Sequence, residues 1–462
     1  MSELTIRFWG GARTVTGSRH LLSFGRQQLL LECGLFQGHR DEAEQINRHL
    51  PFKAREVDYC VVSHAHIDHC GNIPNLVKRG FNGPVVMTKG TAALARLLLR
   101  DSAHIQESDV RYVNKKRRAK GEPEKEPIYT TADAEHSLER LQPVAYARKV
   151  KLGKFEVHLH DAGHILGSAL VDLEVGGRRI LFTGDLGRRR LPIVRDPVQV
   201  AEADYLIMEA TYGNRRHGDY REVADRLAEV ITRVAGRGGR VIIPAFAVER
   251  SQEIIYTLNL LRQDGRLPDL PIYVDSPLAT KVTEVFRNYP EYYDDEARAM
   301  LNGHNELFDF PGLSYVASPE ESKALNRRTE PCIIISASGM CEAGRILHHL
   351  KHGIGDERNC IMLVSFQAPD TLGARLRDQH PRVRIFGEEH ERRAEVVVMD
   401  EFSAHADSQG LLDYVGGMNL NRLKKVFIVH AQPEAAEAMV EPLKALGVRE
   451  VHIPDKGDEH EL

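Results

Sequence analysis

The chain has 462 residues, of which 42% are hydrophobic and 28% charged. This ordinary globular composition excludes intrinsic disorder, and the length suits two to three domains whose cores need no disulfide or metal to fold. Lys plus Arg number 62 against 66 Asp plus Glu, a net charge of −4. The overall charge therefore neither advertises nor excludes a nucleic-acid partner, and any such site is a local patch.

Along the chain, short apolar runs alternate with helical patterns. Strands are expected over 4–9, 28–32, 59–63, 179–183, 205–208, 240–244, 272–274, 332–336, 361–364, 395–399 and 425–429. They are rich in Val, Ile and Leu without strict alternation, as in strands covered on both faces. Helical spacing joins Val223, Leu227, Val230, Ile231 and Val234; then Ile254, Ile255, Leu258 and Leu261; then Ala436, Met439, Val440, Leu443 and Leu446. The alternation argues for a layered α/β architecture. Segment 111–127 turns from basic to acidic before reaching Gly and Pro, and reads as a solvated helix end and loop. Arg188, Arg189 and Arg190 follow an apolar strand as surface charge. Six cysteines (Cys33, Cys60, Cys70, Cys332, Cys341, Cys360) include no CxxC pair, which excludes a disulfide framework and points to a reducing cytoplasm. No apolar run approaches the ~18 residues of a membrane span, and no secretory leader is expected, since MSELTIRFWGG shows no basic segment followed by an apolar stretch.

Histidine is over-represented, with 22 in the chain, and the histidines cluster. The strand at 59–63 runs into His64, His66, Asp68 and His69, an H-x-H-x-D-H pattern expected by chance only about 0.003 times in a chain of this length. Neutral imidazoles and carboxylates suit zinc and similar borderline cations. His164 sits between glycines in DAGHILGSA, while Asp185 and His430 each follow an apolar strand. Open α/β sheets build their sites at such strand ends. Together these residues add one histidine for each of two ions and a carboxylate to bridge them.

These motifs resemble the metallo-β-lactamase fold. The resemblance implies one zinc on His64, His66, His164 and Asp185, and another on Asp68, His69, Asp185 and His430, with Mn2+ as a substitute and a hydroxide between the ions as nucleophile. The chain between Asp185 and His430 is longer than a typical domain, and it resembles the β-CASP module of nucleic-acid-processing nucleases. MEATYGNR carries Glu209, EFSAHADSQGL carries His405 and VFIVHAQPEA carries His430, matching that family's three motifs. IPAFAVERSQEIIYTL, YVDSPLA, ISASGMCEAGRILHHL and LVSFQAPDTLGARL match as well. The likeness covers essentially the whole chain and is nearest to the RNA branch, which includes the cleavage-and-polyadenylation endonuclease subunit and its prokaryotic relatives.

The implied fold is an αββα sandwich (1–208 and 403–462) interrupted by an inserted α/β β-CASP domain (209–402). The implied activity is zinc-dependent hydrolysis of RNA to 5′-phosphate and 3′-hydroxyl ends, endonucleolytic or 5′-exonucleolytic. His405 would protonate the departing 3′-oxygen, Glu209 would hold His405, and Asp68 would serve catalysis as well as the metal. Ser336, Ser338 and Gly339, at an expected strand-to-helix turn, would seat an RNA phosphate, with Arg250 and Arg345 as further phosphate contacts. Beyond RNA, the partner implied is a second copy of the chain; no small organic cofactor and no membrane are expected. Two departures stand out. Glu32 replaces the family's usual Asp, an acid that the resemblance implies would orient a metal-ligating histidine, and Ala431-Gln432 replaces Gly-Glu after His430. Three readings compete with the RNA nuclease: a small-molecule thioester hydrolase, a weakly active RNA-binding paralogue and a DNA nuclease. No further domain is expected after His430.

Overall fold

The computed structural model describes residues 3–218, 220–303, 306–368 and 370–462; Pro369 of the LVSFQAPDTLGARL stretch lies outside them. Two compact units form. One comprises Met1–Arg189, Asp196–Arg216 and His405–Leu462; the other comprises Arg190–Arg195 and His217–Ala404.

The first unit contains two seven-stranded sheets. In one, the order is Glu459–Glu461, Leu4–Gly10, Arg19–Phe24, Gln27–Leu31, Tyr59–Val61, Val85–Thr88 and Leu141–Val144. In the other it is Val451–His452, Lys425–Val429, Tyr205–Glu209, Arg178–Phe182, Ala169–Val175, Phe155–Asp161 and Val150–Leu152. Successive side chains of a strand point to opposite faces, and that period builds the layers. Leu4, Ile6 and Phe8 meet Phe155, Val157, Leu159, Ile180, Phe182, Ile207 and Phe427 in the core between the sheets. The intervening residues Leu181, Leu206, Met208, Val426 and Ile428 face the other way, onto the helices Ser408–Gly416 and Pro433–Leu446 through Leu411, Val415, Met439 and Leu443. Helices Lys89–Ala119 and Thr131–Leu138 pack through Ala103, Tyr129 and Ala134. The unit is an αββα sandwich.

The second unit is built on a six-stranded sheet in the order Leu313–Tyr315, Ile272–Val274, Ile333–Ser336, Val241–Pro244, Cys360–Leu363 and Glu395–Val398. Every pairing in it is parallel. Helices such as Arg250–Gln263 and Pro277–Asn288 connect its strands, as parallel pairing requires.

Each strand expected from the sequence forms, with ends shifted by a residue or two. The charged 111–127 segment is the exposed end of helix Lys89–Ala119 and the loop after it. All six cysteines are buried and free. No helix among the described residues is long and apolar enough to cross a membrane.

Candidate active site

The site residues leave the carboxyl ends of strands in the sandwich. Strand Tyr59–Val61 runs parallel to Gln27–Leu31. Past it the chain delivers His64 and His66, then turns into the short helix Ile67–Cys70, which carries Asp68 and His69. Strands Arg178–Phe182, Tyr205–Glu209 and Lys425–Val429 are mutually parallel. Beyond them lie Asp185, Glu209 and His430, with Glu209 closing its own strand. His164 stands in the turn after Phe155–Asp161, its amide donating to Ser168 Oγ at 3.0 Å.

The predicted ligands come together. One donor atom from each of His64, His66, His164 and Asp185 lies within 4.8 Å of the others, and the same holds for Asp68, His69 and His430. His64 Nε2 is 3.0 Å from His66 Nδ1, and His164 Nε2 is 3.3 Å from that same atom. On the other side, His69 Nε2 is 3.2 Å from His430 Nε2, which is 3.3 Å from Asp68 Oδ2. Asp185 faces both groups. Its Oδ2 is 3.3 Å from His64 Nε2 and 3.5 Å from His164 Nε2, while its Oδ1 is 3.3 Å from His69 Nε2.

The electrostatics suit a cation. Burial and mutual repulsion hold His64 well below the usual histidine range. Burial does the same to His69, against the pull of Asp68. Both imidazoles are therefore neutral, the form that binds metal. Burial pushes Asp185 up to about 7 even though His430 and His405 pull it down. His430 differs: burial lowers it, but Asp185 and Asp68 outweigh burial and raise it to about 10. Buried imidazoles gathered around carboxylates are nonetheless the donor set that zinc-class ions take, with metal displacing the proton.

The supporting groups are in place. Glu32, fully buried, accepts the Ser63 amide on Oε1 at 2.7 Å and brings Oε2 to 3.3 Å from His69 Nδ1. The longer acid thus still reaches the ligand. Two supports went unread in the sequence: Ser63 Oγ at 2.9 Å from His64 Nδ1, and Thr211 Oγ1 at 3.2 Å from His430 Nδ1. The signal available was chemical, because a histidine that binds through Nε2 needs a partner at Nδ1.

His405 lies beside this centre. Its Nδ1 is 2.9 Å from Glu209 Oε1, its Nε2 is 4.0 Å from Asp185 Oδ2, and its ring is 4.5 Å from that of His164. Glu209 is fully buried and also accepts the amides of Leu186 at 2.7 Å and Thr211 at 3.1 Å. Burial lowers the His405 pKa, but Glu209 and Asp185 outweigh it and hold the imidazole above its ordinary value.

The residues expected to touch phosphate lie in the second unit. Ser336 ends its strand and donates to the Asp275 carbonyl at 2.8 Å. The helix that follows this turn begins at Ile346. In the intervening turn, Ser338 Oγ itself accepts the amides of Glu342 and Ala343, at 3.1 and 3.3 Å. Gly339 lies against Phe246, whose amide nitrogen would be 3.0 Å from an added Cβ. Arg250 is buried and paired with Glu253. Arg345 is bonded to Asp275 at 2.6 Å and to the Val316 and Ala317 carbonyls. Both guanidiniums are thus engaged inside the unit.

The fold and this constellation define a metal-dependent hydrolase of the metallo-β-lactamase class, and the comparisons agree. Residues 21–231 match the metallo-beta-lactamase superfamily, 251–376 the Beta-Casp domain, and 389–454 a Zn-dependent metallo-hydrolase RNA specificity domain. Ribonuclease TTHA0252 of Thermus thermophilus is 38% identical over 453 residues, covering 97% of this chain and 98% of that protein. Two proteins of Methanocaldococcus jannaschii are each 30% identical: the transcription termination factor FttA, covering 98% of this chain and 70% of that protein, and an RNase J-like protein, covering 92% of both. A solved structure from Enterococcus faecalis, described as a protein of unknown function, aligns over the full length of both chains with a TM-score of 0.57 at 13% identity, a likeness of fold alone. The chain belongs to the β-CASP ribonucleases.

Proposed function

We propose that this chain is a two-zinc ribonuclease that hydrolyses RNA phosphodiesters to 5′-phosphate and 3′-hydroxyl products. His64, His66, His164 and Asp185 would hold one ion and Asp68, His69, Asp185 and His430 the other, with manganese able to substitute. When bound, the metals supply activation of water and neutralisation of phosphate charge. The protein supplies the rest. Asp185 sets the spacing of the two donor groups by offering one oxygen to each. Asp68 bonds His430 and orients it toward the second group.

The observation that carries the reading is the His405–Glu209 pair. Glu209 occupies Nδ1, which leaves Nε2 turned toward the metal-ligand cluster. A protonated His405 passes its Nε2 proton to the departing 3′-oxygen as the P–O bond breaks, and Glu209 stabilises the charged form until then. Hydrolysis of a small thioester has no need of such a buried acid–imidazole pair.

The inserted module, assigned to 209–402, would hold the RNA strand, with a phosphate at the Ser336–Gly339 turn. Arg250 and Arg345 would join only by leaving Glu253 and Asp275. A second copy of the chain as partner and a cytoplasmic location complete the reading.

The test is incubation of 5′-blocked and 5′-monophosphate labelled RNA with the zinc-loaded protein, its Asp68→Ala and His405→Ala variants, and a thioester in parallel. Cleavage of RNA that both substitutions abolish or cripple is expected. Cleavage of the blocked RNA identifies endonucleolytic action, and dependence on the free 5′-monophosphate identifies exonucleolytic action. Turnover of the thioester with RNA left intact would overturn the proposal.

A further inference from the structure

A second group of metal-capable side chains lies at the carboxyl terminus, apart from the centre described above. Val451–His452 is the edge strand of one sheet of the sandwich, and Glu459–Glu461 is the edge strand of the other. His452 is in register with Phe427, and His460 with Ile6. The two imidazoles, one from each sheet, meet with ring centroids 4.3 Å apart and planes at 67°. Both rest on the Phe427 ring, at 6.0 and 5.1 Å. Asp458, just before the last strand, places Oδ2 at 3.8 Å from His452 Nε2. One donor atom from each of the three residues lies within 4.8 Å of the other two.

Two observations separate this group from ordinary packing. The Nε2 atoms of His452 and His460 are both shielded from solvent, and neither has a hydrogen-bond partner. Buried polar atoms are normally satisfied, and one that is not calls for an explanation such as an ion. The pocket is nonetheless open to solution, because the side chains of His452 and Asp458 are 33% and 40% exposed. Lys425, the nearby cation, is tied to Glu450 at 2.6 Å. Burial, followed by Lys425 for His452 and by His452 itself for His460, lowers both imidazoles below the ordinary histidine value, which leaves them as neutral donors at neutral pH.

We infer that His452, Asp458 and His460 form a second divalent-cation site, of the zinc class, that clips the edge strands of the two sheets together. Two imidazoles and one carboxylate are a zinc-type donor set, and the exposed side leaves a coordination position for water. The Asp458 carboxylate is steadied for this role, since Oδ2 also accepts the Asp455 amide at 2.8 Å. None of the three residues belongs to the catalytic constellation, so the inference does not depend on the proposed reaction.

The experiment is zinc counting by mass spectrometry after dialysis of the full chain against buffered micromolar zinc, compared with His452→Gln, His460→Gln and Asp458→Asn. Each variant is expected to carry one zinc equivalent fewer than the parent, to retain the parent's ribonuclease rate, and to show a smaller zinc-induced rise in thermal midpoint. Asp458→Asn leaves both rings packed and gives the answer even if a histidine variant fails to fold. Equal zinc content in the parent and in Asp458→Asn overturns the inference.

Discussion

Glu32 shows how one side chain holds a ligand from behind. It sits just past a strand at φ +65° with its carboxylate fully buried, bonded to the Ser63 amide and reaching His69. Removing it leaves a buried N–H unpartnered, at a cost of about 1–3 kcal/mol, and frees the His69 ring to turn. Glu32→Ala is therefore expected to weaken zinc binding by about 10–100-fold, read by titration against a competing chelator. His405 makes a different prediction. His405→Ala should lower kcat by about 10²–10⁴-fold, the range of a lost general acid, while zinc content stays at the parental value. The acid form is the active one, so activity is present below the His405 pKa and lost as pH rises through it. Glu209 is what holds that pKa above the ordinary value against burial. Glu209→Gln should therefore shift the alkaline limb of the rate profile to lower pH, and a limb that does not move would show that another group donates the proton.

At the scale of elements, the loops that carry ligands are packed backbone against backbone, and two glycines allow it. A Cβ on Gly34 would fall 1.6 Å from the Asp68 carbonyl oxygen, and one on Gly187 would fall 1.8 Å from the Gly163 carbonyl oxygen and 2.6 Å from the His164 amide nitrogen. Neither neighbour is a flexible side chain that could move aside. Gly187→Ala is thus expected to displace the His164 loop, to lower stability by at least about 2 kcal/mol in urea unfolding, and to reduce zinc occupancy with it. The sequence makes the glycines around His164 legible but not Gly187, because the contact that requires it joins segments distant along the chain. The same limit governs the strands. Buried parallel strands such as Val241–Pro244 and Ile333–Ser336 are legible as unbroken apolar runs. Phe155–Asp161 is not legible as such a run, because its alternation of Val157 and Leu159 with His158 and His160 is the signature of a strand covered on one face only. Arg19–Phe24 and Ala169–Val175 escaped for a related reason, since Arg19, His20 and Asp172 interrupt apolar runs yet are themselves buried.

For the molecule as a whole, the site joins what the chain keeps apart. Four of the donors stand within six residues, from His64 to His69, and that density made them legible. His164, between glycines, and Asp185 and His430, each after an apolar strand, are legible only as a set. Glu209, ending one such strand, and His405, between small residues, carried meaning only through resemblance. Thr211 and Ser63 were silent, because a hydroxyl beside a motif has many uses. Ions that draw donors from both sheets of the sandwich bind the folded unit and not the open chain, so their binding energy adds to stability. Free metal at 100 times Kd contributes about 2.7 kcal/mol per ion, and each kcal/mol is worth roughly 2–4 °C in a domain of this size. Chelation should accordingly lower the melting midpoint of the sandwich by about 5–10 °C for each ion removed, and added zinc should restore it. The loss should also be local. Amide exchange is expected to rise in Tyr59–Val61 and Lys425–Val429, whose following loops carry donors, and to stay unchanged in Val241–Pro244 and Cys360–Leu363 of the other unit, which carry none. Exchange rising equally in both units would mean that the metal supports the whole chain and not the sandwich that gathers its ligands.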